Sequence, residues 1–362
     1  MWGITIHHYF RYILNIRDNP AQFATLPTSA NKLIVELVFL PIGKISVVIF
    51  FVITAWFLSS SSNFKNDLRR IWLLEREVLF WSIVLLIVSV TVYHGNVPKS
   101  TIIRSFFPTI TVIWWYVTSY AIFLILHPFI TKGLRALGEQ THKYLCIATF
   151  AMWSVIGGFL PQITMNMPSN SVFEFLYLYI LATYVRWYLN KPSKKMGYTL
   201  IGIGSMIIIL WVGACELLTA MTGRNFSGIA LNINTENKLP VILIGFGIFF
   251  VCINHEWNSR AVNTLAQSAL AVFLITIYPA LGRTILIWFD AAPYYSTAWF
   301  IPLAVGVTIV VYLGCTAADL IRQLLFTYTL DRHKGRWFDS LWRYIAMHLP
   351  SRQESDKESQ HA

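Results

Sequence analysis

Long apolar stretches, separated by short polar or charged segments, recur along the whole chain of 362 residues. About 20 apolar residues in a helix cross about 30 Å of hydrocarbon, so this pattern predicts membrane-spanning helices. Ten stretches qualify, the first of them short: 1–15, 38–60, 76–95, 108–130, 144–163, 171–189, 198–220, 239–255, 265–289 and 297–321. We therefore expect an all-α fold, a polytopic integral membrane protein with about ten transmembrane helices.

The composition agrees with a surface that faces lipid. Hydrophobic residues make up 56% of the chain and charged residues 12%, whereas a soluble domain carries about 25% charged residues. The four cysteines occur singly inside apolar runs, without the spacing of a metal site or a disulfide framework. The net charge of +11 does not predict nucleic-acid binding, because the basic residues are not interleaved as a groove-binding face.

Lysine and arginine residues are concentrated in alternate segments between the predicted spans. If the N-terminus is cytoplasmic, most of the 28 Lys and Arg residues lie inside, as the positive-inside rule requires. Both termini are then cytoplasmic. We divide the chain into a transmembrane domain, 1–330, and a cytoplasmic tail, 331–362. Residues 331–349 are basic and aromatic, which suits the inner membrane surface, and the polar end of the tail predicts disorder.

Few ionisable side chains lie at membrane depth, where each costs about 2.5 kcal/mol or more. Several lie near a predicted span end, where we expect them to reach headgroups or water: Glu75, Arg186 and Asp319 at inner ends, Glu216 and Arg283 at outer ends. His7 and His8 differ, because they are adjacent within the first span. They are either interfacial residues, or one of them is a general base or nucleophile, a role that suits imidazole because its unperturbed pKa lies near neutrality.

A basic cluster lies between the second and third predicted spans, in NFKNDLRRIWLLERE. It contains Lys65, Arg69, Arg70 and Arg76. One interpretation is the positive-inside rule alone. The other is a phosphate clamp at the cytoplasmic mouth of a cavity, because arginine makes bidentate contacts with phosphate.

Five segments resemble, in order, the motifs of one family. MWGITIHHY is similar to the second half of LRxxAMxxIxxHHY, and GKISVVIFFVITAWFLSSS is similar to GVxIFFxxSGYxL. WWYVTSYAIFLILHPFI, FLYLYILATYVRWY and ADLIRQLLF are similar to later motifs of the same set. Together they resemble the membrane acyltransferase-3 family, ten-span proteins that O-acylate carbohydrates, and are closest to its polysaccharide O-acetyltransferase branch.

The resemblance implies roles for individual residues. His8 would deprotonate a sugar hydroxyl or carry the acyl group, and His7 would support packing or the tautomer of its neighbour. Trp115 and Tyr120 are candidate walls of the substrate cavity, since aromatic faces suit sugar rings and acyl chains. Packing in the core is the alternative for both aromatic residues.

The resemblance also implies a donor, an acceptor and a location. The donor would be cytoplasmic acetyl-CoA, whose phosphates Arg69, Arg70 and Arg76 would bind, and no metal is expected. The acceptor would be a hydroxyl of an extracellular polysaccharide or a lipid-linked saccharide. The protein would lie in the bacterial cytoplasmic membrane, in contact with lipid, with the polysaccharide-export machinery as a candidate partner.

The chain departs from the family pattern in several places. Thr54-Ala55 replaces Ser-Gly, Asp67 occupies the first position of an Arg-x-x-Arg pair, and Thr276 stands where histidine is common. The first-span arginine of the pattern falls four positions before Met1, so the resemblance implies that the chain begins inside its first span.

Two functions of other classes stay open. A transporter or flippase for a lipid-linked saccharide is the first. Such proteins usually have repeated halves and broken helices at matching positions, and the sequence has no such repeat. The second is a degenerate family member that acts only as an assembly partner, which the departures from the pattern would fit.

Overall fold

The computed structural model of the chain describes residues 1–16, 19, 22–23, 25–93, 96–160, 167–168, 170–256, 258–331 and 335–348, which contain helices and no strand. The α-helices of five or more residues are, in chain order, α1 (Trp2–Ile13), α2 (Ala30–Leu58), α3 (Phe64–Val92), α4 (Lys99–Phe106), α5 (Trp115–Ala136), α6 (Gly138–Thr149), α7 (Val172–Tyr188), α8 (Lys194–Thr222), α9 (Ser227–Asn232), α10 (Leu239–Cys252), α11 (Arg260–Gln267), α12 (Ala269–Ile277), α13 (Gly282–Leu286), α14 (Phe300–Tyr328) and α15 (Arg336–His348). A π-helical segment, Phe150–Ile156, continues α6. The all-α prediction is confirmed.

Five of the described helical segments are long and apolar enough to cross a membrane: α2, α5, α8, the pair α11–α12, and α14. Each of the ten predicted spans overlaps a helix of the structure. The prediction of a polytopic helical membrane protein is thus confirmed. The number of crossings and the side on which the termini lie stay predictions.

Polar residues mark the starts of several helices. The side chains of Ser29, Asn63 and Ser193 each accept a hydrogen bond from a backbone N–H three residues further on, at the starts of α2, α3 and α8. Such caps satisfy backbone donors that have no partner inside the helix. Gly223 follows α8 with a φ of +67°, a left-handed conformation that favours glycine.

Helix α2 packs at the centre of the described bundle, against α1, α7 and α10. Its Phe51 ring stacks on Phe175 of α7, with centroids 4.2 Å apart and an interplanar angle of 5°. On the far side of α10, Gly197 of α8 comes so close that a Cβ there would lie 2.7 Å from the carbonyl oxygen of Gly247. Small residues permit this close helix approach in membrane proteins.

Two charges that we predicted to be interfacial are buried in ion pairs instead. Glu216 lies 3.0 Å from the Lys32 ammonium group, and both side chains are buried. Asp319 is fully buried and accepts a 2.6 Å hydrogen bond from Arg322. The interfacial prediction was wrong for Glu216 and Asp319, because the cationic partner of each offsets the cost of burial.

The tail contains α15, which docks against the start of α3. Phe338 is buried there, with its ring centroid 6.5 Å from that of Trp72. Trp337 and Tyr344 remain 77% and 62% exposed. The placement of this helix at the inner membrane surface stays a prediction, and the predicted disordered end lies outside the described residues.

Candidate active site

A cavity of about 640 Å³ lies between α1, α2 and α5, with further walls from α4, α12 and α13 and from the chain before α5, α7 and α10. It follows α1 from Met1 through Ile4 and His8 to Tyr12, a rise of about 16 Å along the helix axis. A cavity of this size holds a small molecule or a few sugar units. It brings together three of the predicted site residues, His7, His8 and Trp115.

His7 is buried and is held in place by two features of α2. Its Nδ1 lies 2.7 Å from the carbonyl oxygen of Leu40, so Nδ1 carries a proton, because a carbonyl oxygen can only accept. Its Nε2 is buried and has no hydrogen-bond partner among the described residues. A Cβ at Gly43 would lie 2.4 Å from Cβ and Cγ of His7, so glycine is needed for this approach.

Local backbone geometry presents the Leu40 carbonyl to His7. A π-helical turn, Val35–Phe39, immediately precedes Leu40 inside α2. Pro41 follows and cannot donate a hydrogen bond to the carbonyl one turn back, which favours the wider turn. π-Helical turns inside α-helices often occur at functional sites.

His8 lines the cavity and is less buried than His7. The two imidazole rings meet edge to face, with centroids 5.3 Å apart. Tyr12, one turn further along α1, has its ring 6.3 Å from His8. His8 can therefore contact a molecule in the cavity, while the anchored ring of His7 packs against His8 and holds it in position.

Lys44 and Glu236 form an ion pair in the wall of the same cavity. The Lys44 ammonium group lies 2.5 Å from one carboxylate oxygen of Glu236, and the Glu236 side chain is almost completely buried. The other oxygen, Oε2, has no hydrogen-bond partner among the described residues. Lys44 follows Gly43, the residue under His7, so this cation lies close to the histidine pair.

A family model described as an acyltransferase domain, that of the acyltransferase-3 family, matches residues 1–317. The chain belongs to the acyltransferase-3 family. The matched residues include every described residue that lines the cavity of this acyltransferase. No curated protein and no solved structure matched the chain. The family predicted from the motifs is confirmed, and α15 lies beyond the matched residues.

The two aromatic residues predicted as cavity walls occupy different places in the acyltransferase. Trp115 lines the cavity together with Tyr116. Tyr120 is not among the described lining residues; its ring stacks on Tyr116, with centroids 6.4 Å apart. Substrate binding by Trp115 and Tyr120 stays a prediction.

The three arginines predicted to bind the donor lie away from the histidine cavity, on α3. Arg69 lies 3.9 Å from a carboxylate oxygen of Asp339, and Arg76 lies 3.1 Å from one of Asp331, both carboxylates belonging to the tail. Arg70 instead pairs with Asp67 at 2.5 Å. These arginines thus lie in the first half of α3, where each forms an ion pair with a tail carboxylate or with Asp67.

A buried polar network surrounds His127, and it was not predicted from the sequence. The Nδ1 of His127 lies 2.7 Å from Asp67, and its Nε2 lies 3.1 Å from the Tyr179 hydroxyl. That hydroxyl is also hydrogen-bonded to Thr131. The network lies about 18 Å along α5 from Trp115. A histidine inside the apolar run 108–130 was the available signal, since a polar group at membrane depth needs a partner.

Replacing Asp67 with alanine is expected to destabilise the acyltransferase by about 1–3 kcal/mol, because the buried His127 ring would lose its carboxylate partner. The measurement is the thermal unfolding of the purified protein in detergent. Glu139→Ala, at an exposed carboxylate at the start of α6, is the control and should unfold with the wild type. An Asp67→Ala protein that unfolds at the wild-type temperature would refute a stabilising role for the network.

Proposed function

We propose that the chain is a membrane O-acyltransferase that moves an acetyl group from cytoplasmic acetyl-CoA to a hydroxyl of an extracellular or lipid-linked polysaccharide. The observation that carries the proposal is a histidine pair, one member anchored by a backbone carbonyl, in the wall of a large cavity of an acyltransferase-3 protein. A base beside a cavity for two substrates is what acyl transfer to a hydroxyl requires.

His8 accepts the proton of the acceptor hydroxyl as its oxygen attacks the thioester carbonyl carbon. The carbon–sulfur bond then breaks, and the CoA thiolate leaves with the proton that the imidazolium returns. His7 contributes by position: its Nδ1–H donates to Leu40, which fixes the ring against which His8 packs. Such orientation lowers the entropic part of the barrier.

Lys44 stabilises the negative charge that develops on the thioester oxygen. Its ammonium group lies in the cavity wall and is oriented by Glu236. A cation held in place before the reaction costs no reorganisation when the charge develops, which makes it effective in a site of low polarity. Trp115 and Tyr116 form the apolar wall and exclude water that would hydrolyse the thioester.

The basic end of α3 binds the phosphates of acetyl-CoA, and the tail carboxylates compete with them. Asp339 lies 3.6 Å from Lys65 and 3.9 Å from Arg69. Replacing Asp339 with asparagine should therefore lower the KM for acetyl-CoA by about two- to fivefold, the range expected for exposed ion pairs. Steady-state transfer by the purified protein measures this KM. Glu256→Gln, at an exposed loop carboxylate, is the control, and an unchanged KM in Asp339→Asn would place the donor phosphates elsewhere.

The decisive experiment measures ester-linked acetate on surface polysaccharide in bacteria that produce the wild type, His8→Ala or no protein. Acetate should depend on the wild type and be lost in His8→Ala, while polymer export continues. Loss of the polymer itself would support the transporter alternative. Acetate that does not depend on the protein would refute the proposed reaction.

A further inference from the structure

Basic side chains converge on the histidine cavity from segments that are far apart in sequence. The described lining residues include four cationic side chains, Arg11, Lys44, Arg104 and Arg283, but one carboxylate, Glu236. These cationic side chains outnumber the carboxylate, so the described part of this wall carries a positive excess. A cleft with charge of one sign and low-dielectric walls concentrates the field and attracts the opposite charge.

These arginines also run against the topology of the rest of the chain. In the orientation that the Lys/Arg distribution favours, Arg11, Arg104 and Arg283 fall at outer ends or in outer segments. The positive-inside rule accounts for basic residues on the cytoplasmic side. It does not explain why three arginines meet at one cavity on the outer side. A shared anionic ligand explains the convergence.

Arg104 is held before any ligand arrives. Its Nε and Nη2 donate hydrogen bonds to the carbonyl oxygen of Thr111 at 3.2 and 3.0 Å, and Nη2 also donates to Val112 at 2.8 Å. Val112 has a φ of +56°, a strained conformation for a β-branched residue. In this strained conformation the carbonyl oxygen of Val112 accepts a hydrogen bond from Arg104, and both residues lie in the cavity wall.

The spacing of Arg11 and His8 on α1 sets the distance between one arginine of the positive wall and the candidate base. It lies three residues after His8 on α1, and both residues line the cavity. Residues three apart share a face of a helix and are separated by a rise of about 4.5 Å. An anion at Arg11 and a hydroxyl at His8 can thus belong to one sugar unit or to two neighbouring units.

We infer that the acceptor is an anionic saccharide, whose carboxylate or phosphate group binds Arg11, Arg104 and Arg283 while a hydroxyl faces His8. The inference rests on the proposed function for the role of the hydroxyl. It adds that the acceptor is negatively charged, which the proposed function does not specify. Guanidinium groups suit either anion, because both accept paired hydrogen bonds.

Equilibrium binding to the full chain in lipid nanodiscs tests this assignment without requiring turnover. The probes are radiolabelled trigalacturonate, galactose 1-phosphate, neutral trigalactose and acetyl-CoA. We expect the wild type to bind trigalacturonate or galactose 1-phosphate about tenfold or more tightly than trigalactose, because charge-assisted hydrogen bonds are made only with the anions. The preferred probe identifies which anion the site takes.

The matched variants are Arg104→Gln and Lys143→Gln, the latter at an exposed position on α6 away from the cavity. Arg104→Gln should weaken binding of the anionic saccharide about tenfold and leave trigalactose and acetyl-CoA unaffected, whereas Lys143→Gln should bind as the wild type does. Equal affinity of the wild type for neutral and anionic saccharides would overturn the inference. So would a loss in Arg104→Gln confined to acetyl-CoA, which would assign the arginines to the donor phosphates. Tight binding of an anionic saccharide without any acetyl transfer would instead refute the proposed function and retain the site.

Discussion

A protein in which alanine replaces His8 will transfer acetyl groups about 10²–10⁴ times more slowly than the wild type, the usual contribution of a positioned general base. The loss follows from the place of His8 in the wall of the cavity, packed against His7, whose ring is anchored to Leu40. Without the imidazole the acceptor hydroxyl must attack without losing its proton. His8 is only partly buried, so the protein with alanine in its place should still fold.

The measurement is kcat with the purified chain, acetyl-CoA and a saccharide acceptor, beside the thermal unfolding curve. His255→Ala, at an exposed position after α10, removes an imidazole outside the cavity and should keep wild-type activity. Full activity of His8→Ala together with inactive His7→Ala would transfer the role of base to His7. Full activity of both variants would remove the histidine pair from the mechanism.

Hydropathy predicted the helices well because a membrane helix carries its own signal. Each apolar run satisfies its backbone hydrogen bonds internally, so its presence does not depend on its neighbours. The adjacent His7 and His8 could be singled out for the same reason, since an imidazole in an apolar run is conspicuous without knowledge of the fold. Trp115 could be proposed as a wall from its place in an aromatic-rich span.

Pairings between helices could not be predicted. Lys44 and Glu236 are 192 positions apart, and Asp67 and His127 are 60 apart. Apolar runs in lipid do not specify which helices become neighbours, because the lipid and the other helices are similarly apolar. A charge near a predicted span end has the same sequence context whether it reaches water or a buried partner, which explains the wrong prediction for Glu216.

Gly43 links the packing of the bundle to the chemistry of the site. A Cβ at this position would lie 2.4 Å from Cβ and Cγ of His7. The Cβ of His7 is fixed to the backbone of α1, so no rotation of the side chain relieves the overlap. Helix α1 must move away from α2, which breaks the contact between His7 and Leu40.

We therefore expect Gly43→Ala to lower kcat about 100-fold, the loss that a displacement near 1 Å can cause, and to destabilise the protein by about 1–3 kcal/mol through overpacking. Steady-state kinetics and thermal unfolding measure the two effects. Gly202→Ala in α8 is the matched control: a Cβ there meets nothing within 4 Å, so the change should leave kcat unaltered and stabilise the helix by about 0.5–1 kcal/mol. Wild-type kcat in a folded Gly43→Ala protein would mean that the anchored position of His7 is not needed for transfer, and the chemistry would then rest on His8 alone.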